Sequence, residues 1–165
     1  MLRLLLNSIW LATIPVSRVT AVDLSKDCQS KLDSQIPGWH LSPPPDDLAA
    51  YAKERKLETN FVKVDLDGDG FRDTAVLVVA PSAGAPVQYL AVCMQRKAQS
   101  QLYLIRDPYC GDGITVAPKG QTVYDFQTGK DVTYHSNGVH AYCFEKAGGT
   151  YLYKRGRFVL VVDSD

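Results

Sequence analysis

From Asn60 onward, apolar and polar positions alternate over short runs separated by turn residues, the pattern of antiparallel strands packed on a core. Residues 60–64 alternate apolar and polar positions, and residues 74–80 form a β-branched apolar run. Both read as strands. Residues 87–95 and 102–106 are two more, joined by a polar turn around Lys97-Ala98-Gln99-Ser100. Residues 122–126 and 131–134 flank Gln127-Thr128-Gly129-Lys130, a hairpin signal, and Asn137-Gly138 marks a turn before a strand over 139–144. Residues 150–153 and 158–162 surround Lys154-Arg155-Gly156-Arg157 and predict a final hairpin. Turn signals about every 8–12 residues predict a largely antiparallel sheet, curved or folded into a sandwich.

Helical periodicity is confined to the region before Asn60. Pro43-Pro44-Pro45 stops any preceding helix, and Asp46 and Asp47 then place acids at the positive end of a new one. Leu48, Tyr51, Ala52 and Arg55 share a face of that helix, which extends to about Leu57. Residues 24–32 have room for a short helix positioning Cys28, and residues 36–41 read as an extended entry into the fold. The fold class is therefore α+β, mostly antiparallel β, with one N-terminal helix packed on the sheet. No Pro/Gly/Ser linker or shift in composition divides the chain, so one domain is expected.

The first 21 residues have another purpose. Met1-Leu2-Arg3 is a short basic start, residues 4–16 are mostly apolar, and Val19-Thr20-Ala21 fits a signal-peptidase site. Cleavage there leaves residues 22–165 as a single domain, enough for a hydrophobic core. Loss of Arg3 and Arg18 leaves 16 basic groups against 18 acidic ones. That balance argues against nucleic acid as a partner. No segment of the mature chain is apolar enough to span a membrane. Cys28, Cys93, Cys110 and Cys143 are an even set without a C-x-x-C spacing, which predicts two disulfides in a periplasmic or secreted protein. Four cysteines leave three pairings open.

Residues 65–73 carry the strongest chemical signal. Four carboxylates (Asp65, Asp67, Asp69 and Asp73) alternate along nine residues, with only Arg72 between them as an opposite charge. Ca²⁺ takes six to eight oxygen ligands, and a D-x-D-x-D-G loop supplies them by curling around the ion. Asp65, Asp67 and Asp69 are expected to ligate through side chains and Phe71 through its carbonyl. Asp73 is expected to bind directly or through a water, and Gly70 to make the sharp turn. Val76 stands where an EF-hand has its bidentate Glu, and the flanks are strands rather than helices.

In that setting the loop resembles the strand-flanked calcium loops of FG-GAP and VCBS-type repeats in secreted proteins. The resemblance covers roughly 20 residues, occurs once, and implies the loop but not a propeller. Residues 138–165 are in turn similar to the end of small exported bacterial proteins that carry one such loop upstream, a likeness that brings no activity with it.

Other candidates for chemistry are sparse. His135 and His140 flank the Asn137-Gly138 turn and could meet across a hairpin, forming an acid/base or metal site with a nearby carboxylate. Cys110 beside Asp112 suits a Cys-His hydrolase only if its thiol is free, and Asp112 could otherwise add an oxygen to the calcium loop. Glu145 and Asp163 are a conceivable carboxylate dyad. Seven tyrosines (Tyr103, Tyr109, Tyr124, Tyr134, Tyr142, Tyr151 and Tyr153) lie in the β half, as core or as a contact surface. The expected function is an exported calcium-binding module that contacts another protein of the cell envelope, as an inhibitor or immunity protein would. An envelope hydrolase using His135 and His140, or a polysaccharide-binding accessory, is the alternative.

Overall fold

The computed structural model of the chain describes residues 24–97 and 99–164. The signal-peptide expectation for residues 1–21 falls outside them. Helix α1 (Lys26–Gln35) is followed by the short strand β1 (His40–Leu41), helix α2 (Asp46–Arg55), and strands β2 (Phe61–Val64), β3 (Asp73–Ala80), β4 (Val87–Gln95) and β5 (Ser100–Arg106). Strands β6 (Gly113–Ala117), β7 (Thr122–Asp125), β8 (Lys130–Thr133), β9 (Gly138–Cys143), β10 (Ala147–Lys154) and β11 (Arg157–Ser164) complete the chain.

All of β3 but its last two residues is buried, for a reason visible in its neighbours. One edge pairs with β4, which pairs with β5, and the other edge is shared end to end by β1 and β2. A second antiparallel sheet runs β11-β10-β9-β6. Side chains alternate along a strand, so Ala75 and Leu77 of β3, with Leu90, Val92 and Met94 of β4, face Ile114, Val139, Ala141 and Tyr151 of the second sheet. Val76, Val78 and Ala91 point the other way and meet Leu32 and Ile36 from the α1 end. The β7–β8 hairpin forms a third layer. Its Val123 and Val132, with Tyr134 just beyond, cover Ala117, Leu152 and Val161 on the outer face of the second sheet.

Two disulfides brace these layers. Cys28–Cys93 joins α1 to β4 with Cα atoms 6.1 Å apart, and Cys110–Cys143 ties the approach to β6 to the end of β9 at 5.0 Å. Closing loops of these lengths stabilises by about 4 kcal/mol each in the chain-entropy model.

The β-rich antiparallel class expected from the sequence is present, but the helical part needs correction. There are two helices among the described residues, and α1, not α2, covers the first sheet. The apolar stripe of α1 is short, with Cys28 and Leu32 as its buried residues. Its placement relies on the disulfide and on polar ties to β5: Ser100 N–H donates to Asp27 Oδ2 at 2.7 Å, and Lys31 Nζ donates to the Ser100 carbonyl. Helix α2 buries Leu48 and Ala52 and sets Tyr51 against Phe144, ring centroids 5.4 Å apart. It stops at Arg55 because Lys56 turns left-handed (φ 55°), so the expected extension to Leu57 does not form.

Candidate metal centre

The loop between β2 and β3 is anchored by one apolar residue. Leu66 is fully buried between the sheets, worth about 2 kcal/mol, and pins the acidic residues on either side of it. Gly68 (φ 81°) and Gly70 (φ 87°) then bend the chain in a conformation that a side chain would strain. The curl is held by the loop's own carboxylates. Gly68 and Gly70 donate their N–H groups to Asp65 at 2.7 and 2.9 Å, Asp69 donates to Asp67 at 3.2 Å, and Phe71 donates to Asp69 at 2.9 Å.

Asp73 closes the loop and is fully buried. Its two oxygens accept the N–H groups of Leu66 at 2.8 Å and Gln95 at 2.7 Å. Burial pushes its carboxyl pKa up to about 6; these two hydrogen bonds oppose the rise, while the charges of Asp67 and Asp69 add to it. One oxygen from each of Asp65, Asp67 and Asp73 lies within 4.8 Å of the others. Ligands of one Ca²⁺ at 2.3–2.6 Å cannot be more than about 5 Å apart, so the three fit a single ion. All are hard oxygen donors, which suits Ca²⁺ rather than a thiophilic metal.

Sequence reasoning missed the cation already at the loop. Arg96, just past β4, donates through Nη1 to Asp67 and, at 2.8 Å, to Asp69 Oδ2. The antiparallel pairing of Thr74 with Cys93 carries the end of β4 alongside the start of β3, and the guanidinium follows. That register is not readable from the sequence, so no local signal marked Arg96. Arg72, the only opposite charge within the loop, makes neither contact. Asp69 is thus held by Arg96 and stands outside the group of three carboxylates. The N–H of Phe71, followed by the Arg96 contact, keeps the Asp69 carboxyl below its ordinary pKa despite opposing desolvation. Phe71 gives its N–H to Asp69 and leaves its ring exposed. Asp112 is committed elsewhere, accepting the Phe144 N–H at 2.9 Å.

Across the loop, Asn137 Nδ2 donates to the Asp65 carbonyl at 2.9 Å. The resulting cavity of 290 Å³ is bordered by Asp65, Asp67, Lys119 and His135.

His135 and His140 do not meet. Strands β8 and β9 pair with β7 and with β6 and β10, not with each other, so no hairpin joins the two histidines. His140 lies instead in a 330 Å³ cleft between the second sheet and the β7–β8 hairpin, with Thr115, Gln121, Thr150, Asp163 and Ser164. Tyr134 and Thr150 both donate their hydroxyls to Asp163 Oδ2, and His140 Nδ1 is 3.2 Å from Oδ1. Burial alone would raise the Asp163 pKa. The adjacent His140 imidazole and the hydroxyls of Thr150 and Tyr134 outweigh it and hold the carboxyl below 3.8. These, not Glu145, are the neighbours of Asp163. Cys110 is in a disulfide, which removes the free thiol a Cys-His hydrolase needs.

The tyrosines divide between core and surface: Tyr134 and Tyr151 are buried, whereas Tyr109 and Tyr124 are exposed. No helix among the described residues is long and apolar enough to cross a membrane. None of the known protein families, curated proteins or solved structures matches this chain.

Proposed function

We propose that this chain is an exported calcium-binding module, braced by two disulfides, that acts by contact with another protein of the cell envelope. The observation that carries the metal reading is the convergence of Asp65, Asp67 and Asp73 oxygens within 4.8 Å on a loop bent at two positive-φ glycines. In this reading those three carboxylates hold the ion, and Arg96 is the counter-ion of the metal-free loop. Departure of Arg96 releases Asp69 to complete the ligand set. The disulfides support an oxidising compartment, where Ca²⁺ is plentiful enough for a weak site.

The contact reading is supported by Tyr124 and Phe126. They stack edge-on 5.2 Å apart at the β7–β8 hairpin and stay 49 % and 50 % exposed. Exposed aromatics of this kind anchor protein interfaces.

Thermal melts of the mature, oxidised protein in Ca²⁺, in Mg²⁺ and in chelator test the metal reading. A calcium-specific rise in Tm that disappears in Asp67→Ala is expected; equal melts in all three media sink it. Pull-down from envelope extracts, with wild-type protein and a Tyr124→Ala/Phe126→Ala variant as bait, tests the contact reading. Equal capture by both baits removes the hairpin as the contact surface.

A further inference from the structure

We infer that the cleft beside the β7–β8 hairpin is an acyl-transfer site, with Ser164 as nucleophile, His140 as its general base and Asp163 as the residue that positions the imidazole. No residue of the acidic loop lines this cleft.

The backbone supplies the first element. Strands β10 and β11 pair Gly148 with Ser164 and Gly149 with Val162, so Asp163 is the extra residue of a β-bulge. A bulge re-aims side chains that a regular strand would send to opposite faces. Here Asp163 and its neighbour Ser164 both line the cleft.

Burial then sets the order of the groups. The Asp163 side chain is 5 % exposed and that of His140 23 %, so the carboxylate stands behind the ring and the ring faces the cleft. Asp163 Oδ1 is buried with no hydrogen bond of its own, although Nδ1 of His140 is 3.2 Å away. A buried acceptor left this way stabilises a positive charge that forms on the ring beside it.

Hydrogen-bond inventory assigns the tautomer. The Thr150 hydroxyl gives its single proton to Asp163 Oδ2, so its oxygen can only accept from His140 Nδ1, 3.2 Å away. The neutral ring therefore carries its proton on Nδ1 and its lone pair on Nε2. A Cβ added to Gly148 would lie 2.7 Å from His140 Nε2 and 2.7 Å from Ser164 Oγ. The basic nitrogen and the hydroxyl thus border one gap, which stays open because residue 148 has no side chain. Val116, Ala117 and Val123 give the cleft an apolar wall suited to a short acyl chain.

The chemistry is that of an ester with a small acyl group. Ser164 Oγ bonds to the carbonyl carbon as its proton moves to Nε2. The bond to the departing alcohol breaks, the alcohol takes that proton, and an acyl-Ser164 ester remains. Water then adds to the acyl carbon, losing a proton to Nε2; that proton returns to Ser164 Oγ as the acid leaves. Asp163 never bonds to substrate and acts through the ring.

The test uses the full oxidised chain with p-nitrophenyl acetate and with an alkyl fluorophosphonate, followed by intact mass and peptide mapping. A single adduct on Ser164 is expected, absent in Ser164→Ala at unchanged Tm. His140→Ala should label about 10²-fold more slowly or worse, and added imidazole should restore the rate, which repair of mere structure would not do. Asp163→Asn should also label slowly, and Asp163→Glu should recover part of the rate. No adduct, an adduct that persists in Ser164→Ala, or wild-type labelling in His140→Ala would each overturn the assignment.

Discussion

Replacing Arg96 with Gln should move two measurements in opposite directions: the metal-free domain becomes less stable while its affinity for Ca²⁺ rises. Arg96 bonds to Asp67 and, at 2.8 Å, to Asp69. Asp67, as a calcium ligand, would lie about 2.4 Å from the ion. An undisplaced guanidinium and the bound ion would then be about 5 Å apart. A single and a double positive charge at that distance repel by about 1.7 kcal/mol at the dielectric of water and several-fold more at ε ≈ 20. The Arg96 side chain is 33 % exposed and able to swing outward, which favours the lower figure. The affinity gain is therefore about tenfold. Without metal, the loss of two partly exposed ion pairs costs about 1 kcal/mol, a fall in Tm of about 3 °C in chelator. Calorimetric titration with Ca²⁺ and melts in chelator read the two effects separately. An unchanged or weaker calcium affinity in Arg96→Gln refutes the view of Arg96 as the ion's competitor. Arg72→Gln, the control, should change neither measurement appreciably.

Acid should act through Asp163. Its folded pKa is lowered, so its contribution to stability is complete above the unfolded carboxyl value of 3.8 and is lost as pH falls below that through the folded value. Urea unfolding from pH 6 to 2 should show this loss in the wild type, and Asp163→Asn should lack that part of it; equal slopes for the two proteins would contradict the network. Gly148→Ala should cost about 1–3 kcal/mol and displace the imidazole, because the new Cβ would meet His140 Cε1 at 2.6 Å and Nε2 at 2.7 Å. Denaturant midpoints and labelling of Ser164 measure the two effects. Removing Cys28–Cys93 by paired Ala substitutions should lower stability by up to about 4 kcal/mol and speed proteolysis within α1 under native conditions; an α1 still protected would show that Asp27 and Lys31 suffice to hold it.

The strands were legible because their physics is local. The 74–80 run shows no alternation, and the structure explains why: β3 is covered on both faces, by the second sheet and by α1. Strand β6 was missed because its partner is the distant β9, so no hairpin with a sequence neighbour marks it as one marks the shorter β7 and β8. The role of α1 was hidden because a disulfide and polar contacts to Ser100, rather than a long apolar stripe, hold it against the sheet. In the acidic loop, the spacing of Asp65, Asp67 and Asp73 was readable, but Arg96 reaches it only through the register of β3 and β4. The environment of His140 was beyond sequence reasoning for the same reason. Tyr134, Thr150 and Asp163 come from three separate segments, and the bulge at Asp163 leaves no mark in the residue pattern.

The attachment of the acidic loop has a consequence for the order of folding. Its three converging carboxylates lie within nine residues and bond locally, yet part of what holds them comes from far along the chain: Gln95 N–H on Asp73, Arg96 on Asp67, and Asn137 on the Asp65 carbonyl. Arg96 and Gln95 belong to the first layer, and Asn137 leads into β9 of the second. The loop is therefore complete only after the two layers have docked. A peptide of residues 60–80 contains every carboxylate and lacks these supports. On the proposal that this loop binds Ca²⁺, metal capture would be a late event and the unfolded chain would compete poorly for the ion. Nearly all of the binding free energy would then go to the native state, and loading would lock the docked layers together by mass action.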